Sequence, residues 1–249
     1  MRDELVSEGV RLVAHIARPA PGTTAPGRPG LVVCHGFPNG PKSAAASGQT
    51  YPELADRLAA DAGWTVLTFN FRGTGQSAGD FSLGGWLQDL HAAVDRLAEE
   101  VDGVWLCGAS TGGSLAICAA AEDARVRGVA ALSARADFDD WAAHPKRFLD
   151  HAREIGVIRD PRFPLAVDAW TRELSELRPL VLAEKLAPRP LLLVQGSDDD
   201  LVPAVDARAL ADCHGTAELR IIQGAGHRLR HDPRAVAVLL GWMERQLTA

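Results

Sequence analysis

The sequence predicts an α/β fold in which a mostly parallel, twisted sheet is flanked by helices. Three observations carry this. Short runs that are apolar throughout, such as Leu31–Cys34, Trp64–Phe69, Val104–Cys107 and Val129–Leu132, alternate with segments whose apolar residues recur three and four apart. Strands apolar on both faces need cover on both, which is the arrangement of a parallel sheet between two helical layers. With 249 residues, 47% of them hydrophobic, the chain is long enough to bury a substantial core, and single α/β domains reach this size.

In chain order, Leu5–Ser7 and Val10–Ala17 flank a Glu8-Gly9 turn and read as a hairpin at the sheet edge. Pro19 to Gly30 holds four prolines and three glycines, so neither helix nor central strand propagates there. After the strand Leu31–Cys34 comes a helix over Tyr51–Ala62, with Leu54, Ala55, Leu58 and Ala59 inward and Gly63 as its stop. Trp64–Phe69 leads to a helix with Leu83, Trp86, Leu87, Leu90, Val94 and Leu97 on one face. Val104–Cys107, a helix over Thr111–Ala121 and Val129–Leu132 continue the alternation. It resumes with the strand Pro190–Val194, a helix over Ala204–Cys213 and the strand Leu219–Ile222. A last helix carries Val236, Leu239, Leu240, Met243 and Leu247 inward.

Almost sixty residues separate Leu132 from Pro190, too many for one crossover helix. Residues 134–188 read as a helical insertion, a small lid over the strand ends within a single domain spanning 1–249. Its aromatics, Phe138, Trp141, Phe148, Phe163 and Trp170, either line an acyl pocket or fill the lid's own core, the second being favoured. So small a lid predicts a shallow, open site.

Composition narrows the function. A net charge of −6 with scattered arginines and no basic run argues against nucleic-acid binding. No apolar stretch approaches the roughly 20 residues of a membrane span, and the start lacks a signal-peptide core. Cys34, Cys107, Cys118 and Cys213 fit neither a disulfide scaffold nor paired metal ligands. The expectation is a cytoplasmic monomer or homodimer acting on a small molecule.

The pattern G-x-S-x-G occurs twice. Gly75-Gln76-Ser77-Ala78-Gly79 stands several residues beyond its strand with no helix at the serine, and Ser77 reads as a loop residue. Gly108-Ala109-Ser110-Thr111-Gly112 directly follows a strand and directly precedes a helix. A serine on such a turn is exposed in a strained backbone, with free helix N–H groups and the helix dipole behind it. Ser110 is therefore the candidate nucleophile.

A serine hydroxyl needs a base, and the base an orienting group. His227 follows the strand Leu219–Ile222 through the flexible Gln223-Gly224-Ala225-Gly226 turn and is the candidate base, with His231 as the alternative. His91, His144 and His151 read as surface or lid residues, and His35 as a structural brace. Asp198, Asp199 and Asp200 follow the strand Leu191–Val194; one should orient the histidine, and spacing does not choose among them. For the oxyanion, Thr111 offers the N–H after the nucleophile and Phe37 one from the end of another strand.

Together His35-Gly36-Phe37, Phe71-Arg72-Gly73-Thr74-Gly75-Gln76-Ser77, Gly108-Ala109-Ser110-Thr111-Gly112, Gly196-Ser197-Asp198-Asp199 with Val202-Pro203, and Gly226-His227 resemble the α/β-hydrolase superfamily. The likeness is to its serine-aminopeptidase-like and prolyl-oligopeptidase-like esterase branch and spans about residues 30 to 230, in family order. It implies an α/β-hydrolase fold, Asp199 as the acid through its G-x-x-D spacing, Phe37 and Thr111 as oxyanion donors, and a structural Arg72 loop. One departure is the loop after His35-Gly36, often glycine-rich in the family, which here runs Phe37-Pro38-Asn39-Gly40-Pro41.

The expected activity is hydrolysis of a carboxylic ester through an acyl-enzyme, with no metal or organic cofactor. Small-peptide hydrolysis, thioester cleavage or acyl transfer, and a non-catalytic ligand-binding scaffold are the competing readings. A serine at position 110 disfavours chemistries that need a carboxylate nucleophile there.

Overall fold

Alternation along each strand sorts its side chains between two cores. In β3 (Pro29–Cys34), Val32 and Cys34 enter one core, while Leu31 and Val33 enter the other. In β5 (Gly103–Ala109), Val104 and Leu106 join the first and Trp105 and Cys107 the second. In β7 (Leu191–Gly196) the same split separates Leu191 and Leu193 from Leu192 and Val194. Helices α2 (Leu83–Ala98) and α3 (Thr111–Glu122) cover the first core. Helices α1 (Pro41–Ala62) and α9 (Pro233–Arg245) cover the second.

The computed structural model describes residues 3–247, and of residues 41–50 only the backbone. One eight-stranded sheet runs β1 (Asp3–Ser7), β2 (Val10–Ala17), β4 (Thr65–Phe69), β3, β5, β6 (Val126–Leu132), β7 and β8 (Glu218–Ile222). The pairs β1/β2 and β2/β4 are antiparallel and the rest are parallel. The chain steps from β3 outward to β4 and then back across to β5. Strand order thus reverses beside β3 and β5, where ligands of open α/β sheets bind.

Sequence periodicity located the elements well where packing is periodic. All six apolar positions assigned to the inner face of α2 are buried. Helix α1 starts at Pro41, ten residues before Tyr51, because the Ala- and Ser-rich run there has no apolar stripe to reveal it. In α9, Trp242 is buried beside Leu239 and Met243, while Leu240 is only partly covered, and Leu247 lies beyond the helix's last residue, Arg245, and is partly covered too. Among the described residues no helix is long and apolar enough to cross a membrane.

The insertion carries α4 (Asp139–Ala143), α5 (Pro145–Glu154), α6 (Val167–Glu176) and α7 (Pro179–Leu186). Its aromatics do not form a separate core. Phe138, Phe148 and Trp170 belong to the core beneath α2, and Trp141 stacks on Phe148 at 4.1 Å. Helix α7 packs against α3 and against α8 (Ala204–His214), within the helical layer of the sheet. Arg159 fastens the insertion to the loop after β4. Its guanidinium donates to the carbonyls of Gly73, Gly75 and Ser77 at 2.8–3.1 Å, while Asp80 accepts the Arg159 and Asp160 N–H groups.

Ser77 is used up within this loop. It is buried, its Oγ donates to the Asn70 carbonyl at 2.6 Å and accepts the Val13 N–H at 3.0 Å. Ser77→Ala leaves both groups without a buried partner and should cost about 1–3 kcal/mol. A fall in the urea midpoint with turnover unchanged checks this; lost turnover at full stability would contradict it.

Candidate active site

Ser110 caps α3 directly after β5, with φ 53° and ψ −125°. Positive φ is uncommon outside glycine and persists only where surrounding bonds impose it. Here the Ser110 N–H donates to Leu132 O at 2.8 Å, and its carbonyl accepts from Gly113 and Ser114 N–H at 2.8 and 3.1 Å. The flanking glycines are required by close approach. A Cβ on Gly108 would stand 2.2 Å from Gly112 O, and one on Gly112 would stand 2.3 Å from His35 O. The loop after β3 presses against the same turn, since a Cβ on Gly36 would lie 2.8 Å from both Ser110 Cβ and Ala109 O. Ser110 stays partly exposed, and its Oγ makes no hydrogen bond among the described residues.

At the end of β8, His227 turns its Nδ1 to the Asp199 carboxylate, 3.0 Å from Oδ1 and 2.9 Å from Oδ2. The turn after β7 is shaped around that carboxylate. Leu201 and Val202 N–H groups donate to Oδ1 at 3.0 and 2.9 Å, and Gln195 Nε2 donates to Oδ2 at 2.9 Å. Burial acts to raise the Asp199 pKa, but donation from Val202, His227 and Leu201 outweighs it and holds the group below the ordinary carboxylate range. Asp198 accepts instead from the Ser197 hydroxyl at 2.7 Å, and Asp200 is exposed. Of the three aspartates, Asp199 is the one that meets the imidazole.

His35 opens the loop after β3 and is buried. Its Nε2 accepts the Phe71 N–H at 3.2 Å, so the proton sits on Nδ1, which donates to Gly36 O at 2.8 Å. Burial pushes its pKa down to about 4. Unfolding exposes an imidazole with the ordinary value of 6.5, so the unfolded chain takes up the proton first as pH falls. The resulting stability is complete above pH 6.5 and is lost on acidification toward 4, about 3 kcal/mol in all. Denaturant titrations across that range should give His35→Gln a shallower pH slope than wild type, by roughly one proton; identical slopes would refute the assignment.

The family model described as the alpha/beta hydrolase family matches residues 31–239. The chain belongs to this family. The protein is 29% identical over 235 residues to the uncharacterized protein Rv2307c of Mycobacterium tuberculosis, covering 92% of this chain and 73% of that one. It superposes on Est1E from Butyrivibrio proteoclasticus with ferulic acid bound at a TM-score of 0.71 and 21% identity, covering 99% of this chain and 98% of that one. The Pyrococcus furiosus esterase PF2001 gives a TM-score of 0.71 at 18% identity, covering 100% of this chain and 91% of that one. At such identities the two structures show a shared fold.

In this alpha/beta hydrolase the loop after His35-Gly36 is held by an aromatic side chain. The Phe37 ring lies 5.0 Å from Phe81, 5.2 Å from both Trp141 and Phe148 and 6.0 Å from Trp86 of α2, so the insertion, α2 and the segment leading into α2 clamp it together. The neighbouring loop after β4 is braced separately, against α2. Arg72 grips the buried Asp89 carboxylate through Nε, Nη2 and its own N–H at 2.8–3.0 Å, and Trp86 Nε1 donates to the Arg72 carbonyl at 3.0 Å.

Sequence reasoning missed Gln195. Its amide nitrogen serves both Asp199 Oδ2 and Val202 O at 2.9 Å, which fixes the amide orientation and leaves Oε1 buried without a partner. The available signal was a glutamine ending the apolar run Leu191–Val194, where a buried amide must have polar work. His231 stands in a 3-10 turn, Leu229–His231, and no described hydrogen bond joins its side chain to the site. His91 pairs with Glu122 at 3.2 Å, and His144 and His151 lie in the insertion.

Proposed function

We propose that this alpha/beta hydrolase is a serine hydrolase that cleaves a carboxylic ester of a small molecule through an acyl-enzyme. The observation that carries the reading is the strained Ser110 turn lying at the same strand ends as the Asp199–His227 pair. Esterases among the structural neighbours support ester over amide chemistry.

In this reading Ser110 Oγ attacks the ester carbonyl carbon while its proton passes to His227 Nε2. Asp199 keeps the proton on Nδ1, which leaves Nε2 free to accept. Phe37 and Thr111 N–H groups bind the oxyanion, and the positive end of α3 adds to them. His227 then protonates the departing alkoxide. In the second half it takes a proton from water as that water attacks the acyl carbon. The carboxylic acid leaves, and the proton returns to Ser110.

A fluorophosphonate probe tests the reading directly. Wild type should be labelled stoichiometrically and Ser110→Ala should not; an unlabelled wild type would favour a binding scaffold. Esters assayed beside aminoacyl amides and thioesters of matched acyl groups should be hydrolysed fastest. Faster turnover of the amides would make the protein a peptide hydrolase, and faster turnover of the thioesters a thioesterase.

A further inference from the structure

The departing alcohol of an ester takes its proton from the imidazole, so its oxygen must lie against that ring. One surface cavity, of about 1120 Å³, is walled by the insertion, Trp141 and Phe148 included, and does not reach His227. A second, of about 700 Å³, does: it is lined by Asn39, Asp200, Leu201, His227, Arg228 and His231. Asn39 belongs to the loop after β3 and Asp200 to the turn after β7, so three strand-end loops converge on this groove.

Four of the polar side chains on it are uncommitted among the described residues. Asn39, Asp200, Arg228 and His231 form no side-chain hydrogen bond or ion pair among the described residues. Asp232, also on the groove, is by contrast occupied by Arg234, at 2.6 Å from Nη2. Opposite charges in one groove select against charged occupants. An anionic alcohol would meet Asp200 and a cationic one Arg228, whereas a hydroxyl donates to the first and accepts from the second. An alkyl alcohol would displace water from these groups and return no hydrogen bond.

We infer that this groove is the leaving-group subsite of the enzyme, and that it takes a neutral alcohol bearing several hydroxyl groups, of the glyceryl or sugar class. The inference rests on the acyl-enzyme reading above, which makes His227 the proton donor to the alcohol.

Two acetate esters that share an acyl group and differ in the alcohol, glyceryl monoacetate and propyl acetate, provide the test. Wild type should favour the glyceryl ester by about tenfold or more in kcat/KM. Arg228→Leu and Asp200→Leu should each pull that ratio toward one by about three- to tenfold, the share of one hydrogen bond. Both side chains are exposed, so neither variant threatens the fold. Equal kcat/KM for the two esters, a preference for propyl acetate, or a ratio that neither substitution moves would overturn the subsite. Failure of the acyl-enzyme reading looks different: neither ester is hydrolysed and the fluorophosphonate does not label, and the subsite falls with it.

Discussion

Ser110→Ala is expected to lower kcat for any ester the protein hydrolyses by a factor on the order of 10⁶, with the fold intact. The size follows from the proposed chemistry, because without Oγ there is no nucleophile for His227 to activate and no acyl-enzyme can form. The intact fold follows from the turn's own bonding. The backbone at φ 53° is held by Leu132 O, Gly113 N–H and Ser114 N–H, none of which involves the hydroxyl. Alanine at this φ is no more strained than serine, and Oγ leaves no partner behind among the described residues. The second G-x-S-x-G serine supplies the opposite case. Ser77→Ala should lower stability and leave turnover alone, since its hydroxyl ties β2 to the loop after β4. Ester turnover and urea midpoints measured on both variants give a crossed pattern. Ser110→Ala retaining more than about a hundredth of wild-type kcat would sink the nucleophile assignment.

The two serines also mark how far the sequence reaches. Both satisfy the same five-residue pattern, and local context separates them: a strand running straight into a helix at Ser110, a loop on both sides of Ser77. Features set by local periodicity were legible for the same reason, among them the β1–β2 hairpin and the inner face of α2. Features set by contact between distant segments were not. Phe37 meets Trp141 and Phe148, more than a hundred residues on, and long-range contacts of this kind are what show that the insertion shares the main core. The five carbonyl and carboxylate contacts of Arg159 and its neighbour depend on where the insertion lands. Spacing left three aspartates open, and the family resemblance singled out Asp199. In the fold, the turn aims the Leu201 and Val202 N–H groups at that one carboxylate and seats it on His227.

Asp199→Asn should cost about 10⁴ in kcat while changing the shape of the side chain hardly at all. Both carboxylate oxygens are surrounded by donors. Oδ1 accepts from Leu201 and Val202 N–H, Oδ2 accepts from Gln195 Nε2, and His227 Nδ1 reaches both. An asparagine must keep its oxygen where the two backbone N–H groups converge, which puts its NH₂ at the Oδ2 position. There it faces Gln195 Nε2, a donor against a donor, and it donates to His227 Nδ1 where Asp199 accepted. The imidazole then carries its proton on Nε2 and has nothing with which to accept the Ser110 proton. Gln195 can relieve the clash by turning its unpartnered Oε1 toward the new amide, at the loss of its bond to Val202 O. That rearrangement restores the hydrogen bonding but not the tautomer, so stability should recover more fully than rate. Asp198→Asn is the matched control, because its carboxylate meets the Ser197 hydroxyl and not the imidazole, and its kcat should stay within about threefold of wild type. Single-turnover rates of acyl-enzyme formation for the two variants decide the matter. A loss of less than tenfold in Asp199→Asn would remove Asp199 from the role of orienting acid, whatever its distance from His227.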